Sequence, residues 1–194
     1  ERIARAPELR NTASADVAGA LQALQHAQQI VLSETTIALP QCARAEQEIA
    51  SGMATLGSRL RRLREVQWCA WLEEYDAQLS AEQHAAVVAL AQARLGILTG
   101  APGTGKTATV KSLVTVLERA GYRIALTAPT GRAAIRLQEA TGRPARTLHR
   151  FLRAHRVRRS SFWHWLFPAN PEAIIVDEAS MLDTFLMARL IAVC

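Results

Sequence analysis

Apolar and polar positions along the chain fall into short blocks whose periods switch between helical and strand-like. Val17, Leu21 and Leu24 recur at helical spacing behind Thr12, Ser14 and Asp16, short polar residues that suit a helix start. Two β-prone runs follow, Ile30-Val31-Leu32 and Ile37-Ala38-Leu39, on either side of polar Glu34 and Thr35, which predicts a small hairpin. Pro40 closes the second run and can open the next helix. From Gln41 to about Leu63 the pattern is helical, with Glu46 and Glu48 early and Arg59, Arg61, Arg62 and Arg64 late, as the helix dipole favours. Gly52 and Gly57 weaken it and mark candidate breaks. Trp68, Trp71, Leu72 and Tyr75 extend a helical face suited to packing, with ligand recognition the alternative.

The second half alternates more regularly. Ser80 with Gln83 forms a capping-box signature, and Val87, Val88, Leu90 and Ala91 continue that helix. The run 95–99 predicts a strand, followed by a glycine-rich turn and a helix over 108–120 with Val110, Leu113, Val114 and Leu117 inward. A buried strand over 122–127, a helix over 132–141, a capped turn at Thr147, a strand over 173–176 and a helix from about Asp183 complete the order. Strand and helix in alternation predict an α/β core with a mostly parallel sheet. The expected organisation is an α-rich, winged-helix-like module with a short hairpin over 1–76, then the α/β domain over 77–194. Such a module either binds DNA or serves as scaffold.

Composition narrows the class. With 49% hydrophobic and 21% charged residues in 194, the chain is an ordinary globular one. Lys+Arg outnumber Asp+Glu by 23 to 17, which favours a polyanionic partner. Nearly all of that positive charge is arginine; the lysines are Lys106 and Lys111 alone. Cys42, Cys69 and Cys194 show no metal-ligand spacing and read as reduced thiols of a cytoplasmic protein. No run is long and apolar enough for a membrane helix, so no membrane partner is expected. Both ends read as cut from a longer chain.

Three motifs carry chemistry. Gly100, Ala101, Pro102, Gly103, Thr104, Gly105, Lys106 and Thr107 satisfy the full phosphate-loop pattern. Glycines let backbone N–H groups close around phosphate oxygens, and the helix that follows adds its positive end. Lys106 can reach the β- and γ-phosphates of a nucleoside triphosphate, and the Thr107 hydroxyl can join a Mg²⁺ shell. Gln83, just upstream, can reach a bound base with its donor and acceptor. The second motif ends the strand 173–176 in Asp177 and Glu178: one carboxylate to hold the metal's shell, one to orient or deprotonate water. The third is the loop Thr130-Gly131-Arg132. An arginine in a helix's first turn implies a nearby anion or else a solvated surface. The basic run Arg150, Arg153, His155, Arg156, Arg158 and Arg159, followed by Phe162, Trp163, Trp165 and Phe167, reads either as nucleic-acid contact or as a charged face beside a core cluster.

These motifs in this order, LSAEQ, GAPGTGKT, LTAPTGRAAIRL, TLHRFL and IIVDEASMLD, resemble the superfamily-one DNA helicases of the RecD type, which include the alpha subunit of exodeoxyribonuclease V. The resemblance covers residues 79–193 closely and the region before them loosely. It implies a P-loop, RecA-like first motor domain, ATP and Mg²⁺ as cofactors, and 5′ to 3′ movement on single-stranded DNA with unwinding of duplex ends, in recombination and repair. It further implies Gln83 as adenine reader, Lys106, Thr107, Asp177 and Glu178 as the hydrolytic set, and Thr130, Gly131, Arg132, His149 and Arg150 along the DNA track, with His149 serving either DNA contact or coupling. Other exodeoxyribonuclease V subunits are the implied protein partners. The family also uses a second motor domain with an arginine finger, so the 194-residue chain is expected to bind ATP, hydrolyse it slowly and unwind nothing by itself. Rival readings are an AAA-type protein remodeller and a truncated product that only binds nucleotide or DNA.

Overall fold

A computed structural model describes residues 14–58, 79–101, 103–157 and 171–194. Contacts divide the chain into two units, residues 1–50 and 51–194. In the first, α1 (Ser14–His26) leads into a two-stranded antiparallel hairpin of β1 (Val31–Leu32) and β2 (Ile37–Ala38). The Ser33 and Thr36 hydroxyls close its turn at 2.8 Å, backed by the Ser33 N–H on the Thr36 carbonyl. Pro40 then opens α2 (Pro40–Gly57), which begins in the first unit and ends beyond its boundary at residue 50, as proline's fixed φ and missing N–H suit a first helical turn. The helix ends at Gly57, one of the two glycines that weaken its pattern. Helix, hairpin and helix match the expected order here. The winged-helix arrangement draws on residues outside the described ones, among them Arg59, Arg61, Arg62, Arg64, Trp68, Cys69, Trp71, Leu72 and Tyr75.

The second unit is built on a parallel three-stranded sheet in the order β4-β3-β5, with β3 (Ile124–Ala128) between β4 (Ala145–Thr147) and β5 (Ala173–Val176). Helices cover both faces, and alternation along the strands assigns each side chain to one of them. Ile124, Leu126 and Ile175 face Leu113, Val114 and Leu117 of α4 (Lys106–Arg119) and Leu137 of α5 (Gly131–Thr141). On that side α3 (Ala81–Gln92) adds Val87 and Ala91. Ala125, Ile174 and Val176 face Leu148, Phe151 and Leu152 of α6 (Leu148–Val157), with Leu186 and Leu190 of α7 (Thr184–Ile191). Each fully buried Leu or Val contributes roughly 1.5–3 kcal/mol from apolar burial.

Local signals start the helices where the sequence places them. Ser80 caps α3 in a complete capping box, Thr130 caps α5 through the Ala133 N–H, and Asp183 caps α7 through the Leu186 N–H at 2.8 Å. Two elements differ from expectation. Ala145–Thr147 forms the strand β4, although the sequence shows only a capped turn there. Conversely, residues 95–99 join no ladder, and Ile97 stands 72% exposed. A strand forms only beside a neighbour that takes its N–H and C=O groups. Among the described residues the outer edge of β5 and the run 95–99 each lack such a partner in the sheet. No helix among the described residues is long and apolar enough to cross a membrane.

Two residues of α5, one turn-fraction apart, test this layering. Leu137, 2% exposed between Val114 and Leu126, is expected to lose about 2–5 kcal/mol of stability on change to alanine. Ile135, 60% exposed, is expected to change by no more than about 0.5 kcal/mol in the same substitution. Paired urea-unfolding curves read both; equal losses would contradict the assignment of faces.

Candidate functional site

Parallel strands end together, so the topology gathers several loops at the carboxyl edge of the sheet. α4 runs antiparallel to β3: Val110 near its start packs beside Leu126, and Leu117 near its end packs with Tyr122 and Ile124. The loop 100–107 therefore lies at the carboxyl edge. β3 ends there and passes into Thr130 and α5; β4 ends there and passes into α6; β5 ends there in Asp177. Three helix N-termini, those of α4, α5 and α6, converge on this edge. None has an acidic residue in its first turn; Lys106, Arg132 and Arg150 stand there instead. Each would be repelled by the dipole unless an anion were supplied.

In the loop, Gly103 and Gly105 sit at φ of 81° and 78°, the left-handed region where a side chain would add strain. Gly105 is also the N-cap of α4 and offers no side chain to the helix's first N–H groups. Loop carbonyls, by contrast, are tied. Lys106 Nζ donates to the Gly100 and Ala101 carbonyls at 2.6 and 2.8 Å, and the Thr104 hydroxyl donates to Ala101 at 2.8 Å. The ammonium thus already lies within the loop. Thr107 follows in the first helical turn with an exposed side chain. Pro102 lies outside the described residues.

Gln83 bonds to the same loop. Its side-chain oxygen accepts from the Ser80 N–H at 3.0 Å, completing the capping box, while Nε2 donates to the Thr104 carbonyl at 3.0 Å. That second bond, to a residue 21 positions away, carries no signal in the sequence.

At the end of β5 the Asp177 N–H donates to the Thr127 carbonyl at 2.9 Å, extending the ladder one residue beyond the strand. Asp177 Oδ1 accepts from the Glu178 N–H at 2.9 Å, which fixes the carboxylate against its own turn. Glu178 is exposed and adopts φ 54°, ψ 39°, a left-handed conformation unusual for a residue with a long side chain. Strain of this kind persists only where surrounding contacts enforce it, and it concentrates at functional turns.

The third motif divides between structure and surface. Thr130 and Thr147 spend their hydroxyls on the N–H groups of Ala133 and Arg150, at 3.2 and 3.3 Å. Leu148, Phe151 and Leu152 are buried core. Arg132, His149 and Arg150 are left exposed at the carboxyl edge. Arg158, Arg159 and the cluster Phe162, Trp163, Trp165 and Phe167 lie outside the described residues, as does the side chain of Arg156.

Comparison with known proteins finds a family and relatives for this part of the chain. A family model described as an AAA domain matches residues 78–194. The ATP-dependent RecD2 DNA helicase of Deinococcus radiodurans is 46% identical over 115 residues, covering 59% of this chain and 16% of the relative. The RecBCD enzyme subunit RecD of Mycolicibacterium smegmatis is 43% identical over 141 residues, 60% of this chain and 25% of the relative. That of Haemophilus influenzae is 34% identical over 133 residues, 56% and 21% respectively. The chain therefore spans a quarter or less of the length of these relatives.

The backbone at Glu178 gives a direct test. Glu178→Gly is expected to be about 1 kcal/mol more stable than Glu178→Ala, because only glycine relieves the left-handed conformation. Thermal melts of the two variants measure the difference; equal midpoints would show that the turn is unstrained.

Proposed function

Because the chain belongs to the AAA domain family whose model it matches over residues 78–194, we propose that this region is the first motor domain of an ATP-dependent DNA helicase. Over part of its length the chain is homologous to RecD-type helicases. The observation that supports the reading best is the convergence at one sheet edge of three basic, acid-free helix N-termini with the carboxylates of Asp177 and Glu178. A triphosphate and a nucleic-acid backbone are both polyanions, and each matches a different part of that edge. Protein remodelling, which the family description also accommodates, gives no reason for basic residues in the first turns of α5 and α6.

The donor set fits Mg²⁺. Thr107 and Asp177 offer oxygen ligands alone, and Mg²⁺ takes one or two such ligands with water and substrate phosphates completing its shell. Among the described residues no larger group of His, Cys, Asp and Glu gathers to make an all-protein cage. The cation would neutralise charge developing on the transferred phosphoryl group. The chain's own residues supply the rest. Lys106 exchanges its two carbonyl acceptors for phosphate oxygens, a short movement because Nζ already lies in the loop. Free N–H groups at the start of α4 receive phosphate oxygens along the helix axis. Glu178 accepts the proton of the attacking water, its carboxylate aimed by the left-handed turn. Gln83 keeps one N–H and one lone pair beyond its present bonds, enough to read an adenine edge. Arg132, His149 and Arg150 contact single-stranded DNA, with Thr130 and Gly131 presenting the start of α5 to it.

Movement from 5′ to 3′, unwinding of duplex ends, a role in recombination and repair, and association with other exodeoxyribonuclease V subunits belong to this proposal for the whole protein, whose second motor domain would close the cleft. The 194-residue chain is expected to bind ATP and turn it over slowly.

Lys106→Ala is expected to weaken ATP binding roughly tenfold to a hundredfold, the loss of a charge-assisted contact. Glu178→Gln should leave binding intact and slow hydrolysis in the full-length protein on the order of 10²–10⁴-fold. Calorimetry and single-turnover hydrolysis separate the two; an active Lys106→Ala protein would sink the mechanism. Single-stranded DNA binding across a salt series tests the track. Arg132→Ala is expected to lower the salt dependence by about 0.7 in log–log slope, one phosphate contact on a single strand.

A further inference from the structure

Gln83 does more in the structure than cap a helix or wait for a base. Its Nε2 donates to the Thr104 carbonyl at 3.0 Å, and its side-chain oxygen is held by the Ser80 N–H at 3.0 Å, so the amide cannot swing away without breaking the capping box. It also lies directly over Gly105, where a Cβ would collide with the Gln83 amide nitrogen. A planar trans peptide points its C=O and N–H in opposite directions. Holding the Thr104 oxygen toward Gln83 therefore turns the Gly105 N–H the other way, at the first residue of the turn into α4. Gly105, at φ 78°, has no side chain to choose between the two orientations of that peptide. An outside contact has to choose.

We infer that Gln83 is a positioning residue for the phosphate loop: its bond to Thr104 sets the 104–105 peptide with the Gly105 N–H presented to phosphate, whichever base the ligand carries. The inference rests on the nucleotide reading of the loop and goes beyond it, since a residue that only reads the base has no effect on a ligand without one. Lys106 and the Thr104 hydroxyl tie the Gly100 and Ala101 carbonyls on the other side of the loop. Lys106 must leave those carbonyls to reach phosphate, whereas the Gln83 bond is compatible with a bound ligand and stays.

Inorganic tripolyphosphate, which has no base, separates the two roles when titrated calorimetrically beside ATP. Gln83→Ala and the longer Gln83→Met are both expected to weaken tripolyphosphate binding about threefold to tenfold, the loss of one hydrogen bond. Ser80→Ala, which shortens the cap but leaves the Thr104 bond, is expected to lower the melting temperature and keep tripolyphosphate affinity at the wild-type value. A fall in ATP affinity in the Gln83 variants with tripolyphosphate binding unchanged would make Gln83 a base reader alone and overturn the inference. So would an equal loss in Ser80→Ala, which would trace the effect to the helix start. Wild-type protein that bound neither ligand would instead remove the nucleotide reading, and the inference with it.

Discussion

The parallel ladder of β4, β3 and β5 is the constraint from which the site follows. Strands β3 and β5 carry apolar residues on both sides, so helices must cover both faces. Each connection between parallel strands must cross from one end of the sheet to the other, and the helices that make the crossing start at the strands' carboxyl ends. Helix N-termini are thus delivered to one edge whatever residues they carry. Arg132, Arg150, Asp177 and Glu178 come to one edge of the sheet by this topology, and Lys106 joins them because α4 runs antiparallel to β3.

At that edge the polar groups of the backbone are sorted by side chains. Lysine, threonine and glutamine donors hold carbonyls of the glycine-rich loop, and no side chain caps the N–H groups at the start of α4. A loop whose carbonyls turned inward would repel the same anion, so the orientation of a few peptides decides whether the glycines are useful. Across the edge, the Asp177 carboxylate braces the turn that holds Glu178 in its left-handed conformation. The Asp177–Glu178 half is set by a bond within its own turn, and the loop half by bonds within the loop together with the Gln83 contact from α3.

Much of this was legible in the residues. Ser80 announces a helix start because a short polar side chain bonds its own backbone within one turn, a local event that needs no tertiary partner; Thr130, read from the sequence as part of an anion-contact loop, caps its helix in the same way. The phosphate loop and the Asp177–Glu178 strand end are likewise local patterns. The strand pairing was less legible. Ala145–Thr147 is too short to show a period and becomes a strand by lying beside β3, with Leu126 opposite Ala145. The run 95–99 has the composition of a strand yet joins no ladder, since pairing depends on a neighbour as well as on propensity. In TLHRFL the sequence does not reveal which residues face out; packing of Leu148, Phe151 and Leu152 against α7 and the sheet turns His149 and Arg150 to the surface.

By itself the sequence determined the α/β class, the helix starts and the residue types able to bind phosphate, hold a hard cation and activate water, because those depend on spacing over a few residues. Tertiary structure alone decided that Gln83 grips the Thr104 carbonyl, that Glu178 sits in a left-handed turn, and that three basic helix starts share one edge. Each of these joins groups far apart in the chain or depends on a backbone conformation that neighbours impose. No local pattern encodes them, and only the packed sheet brings them together.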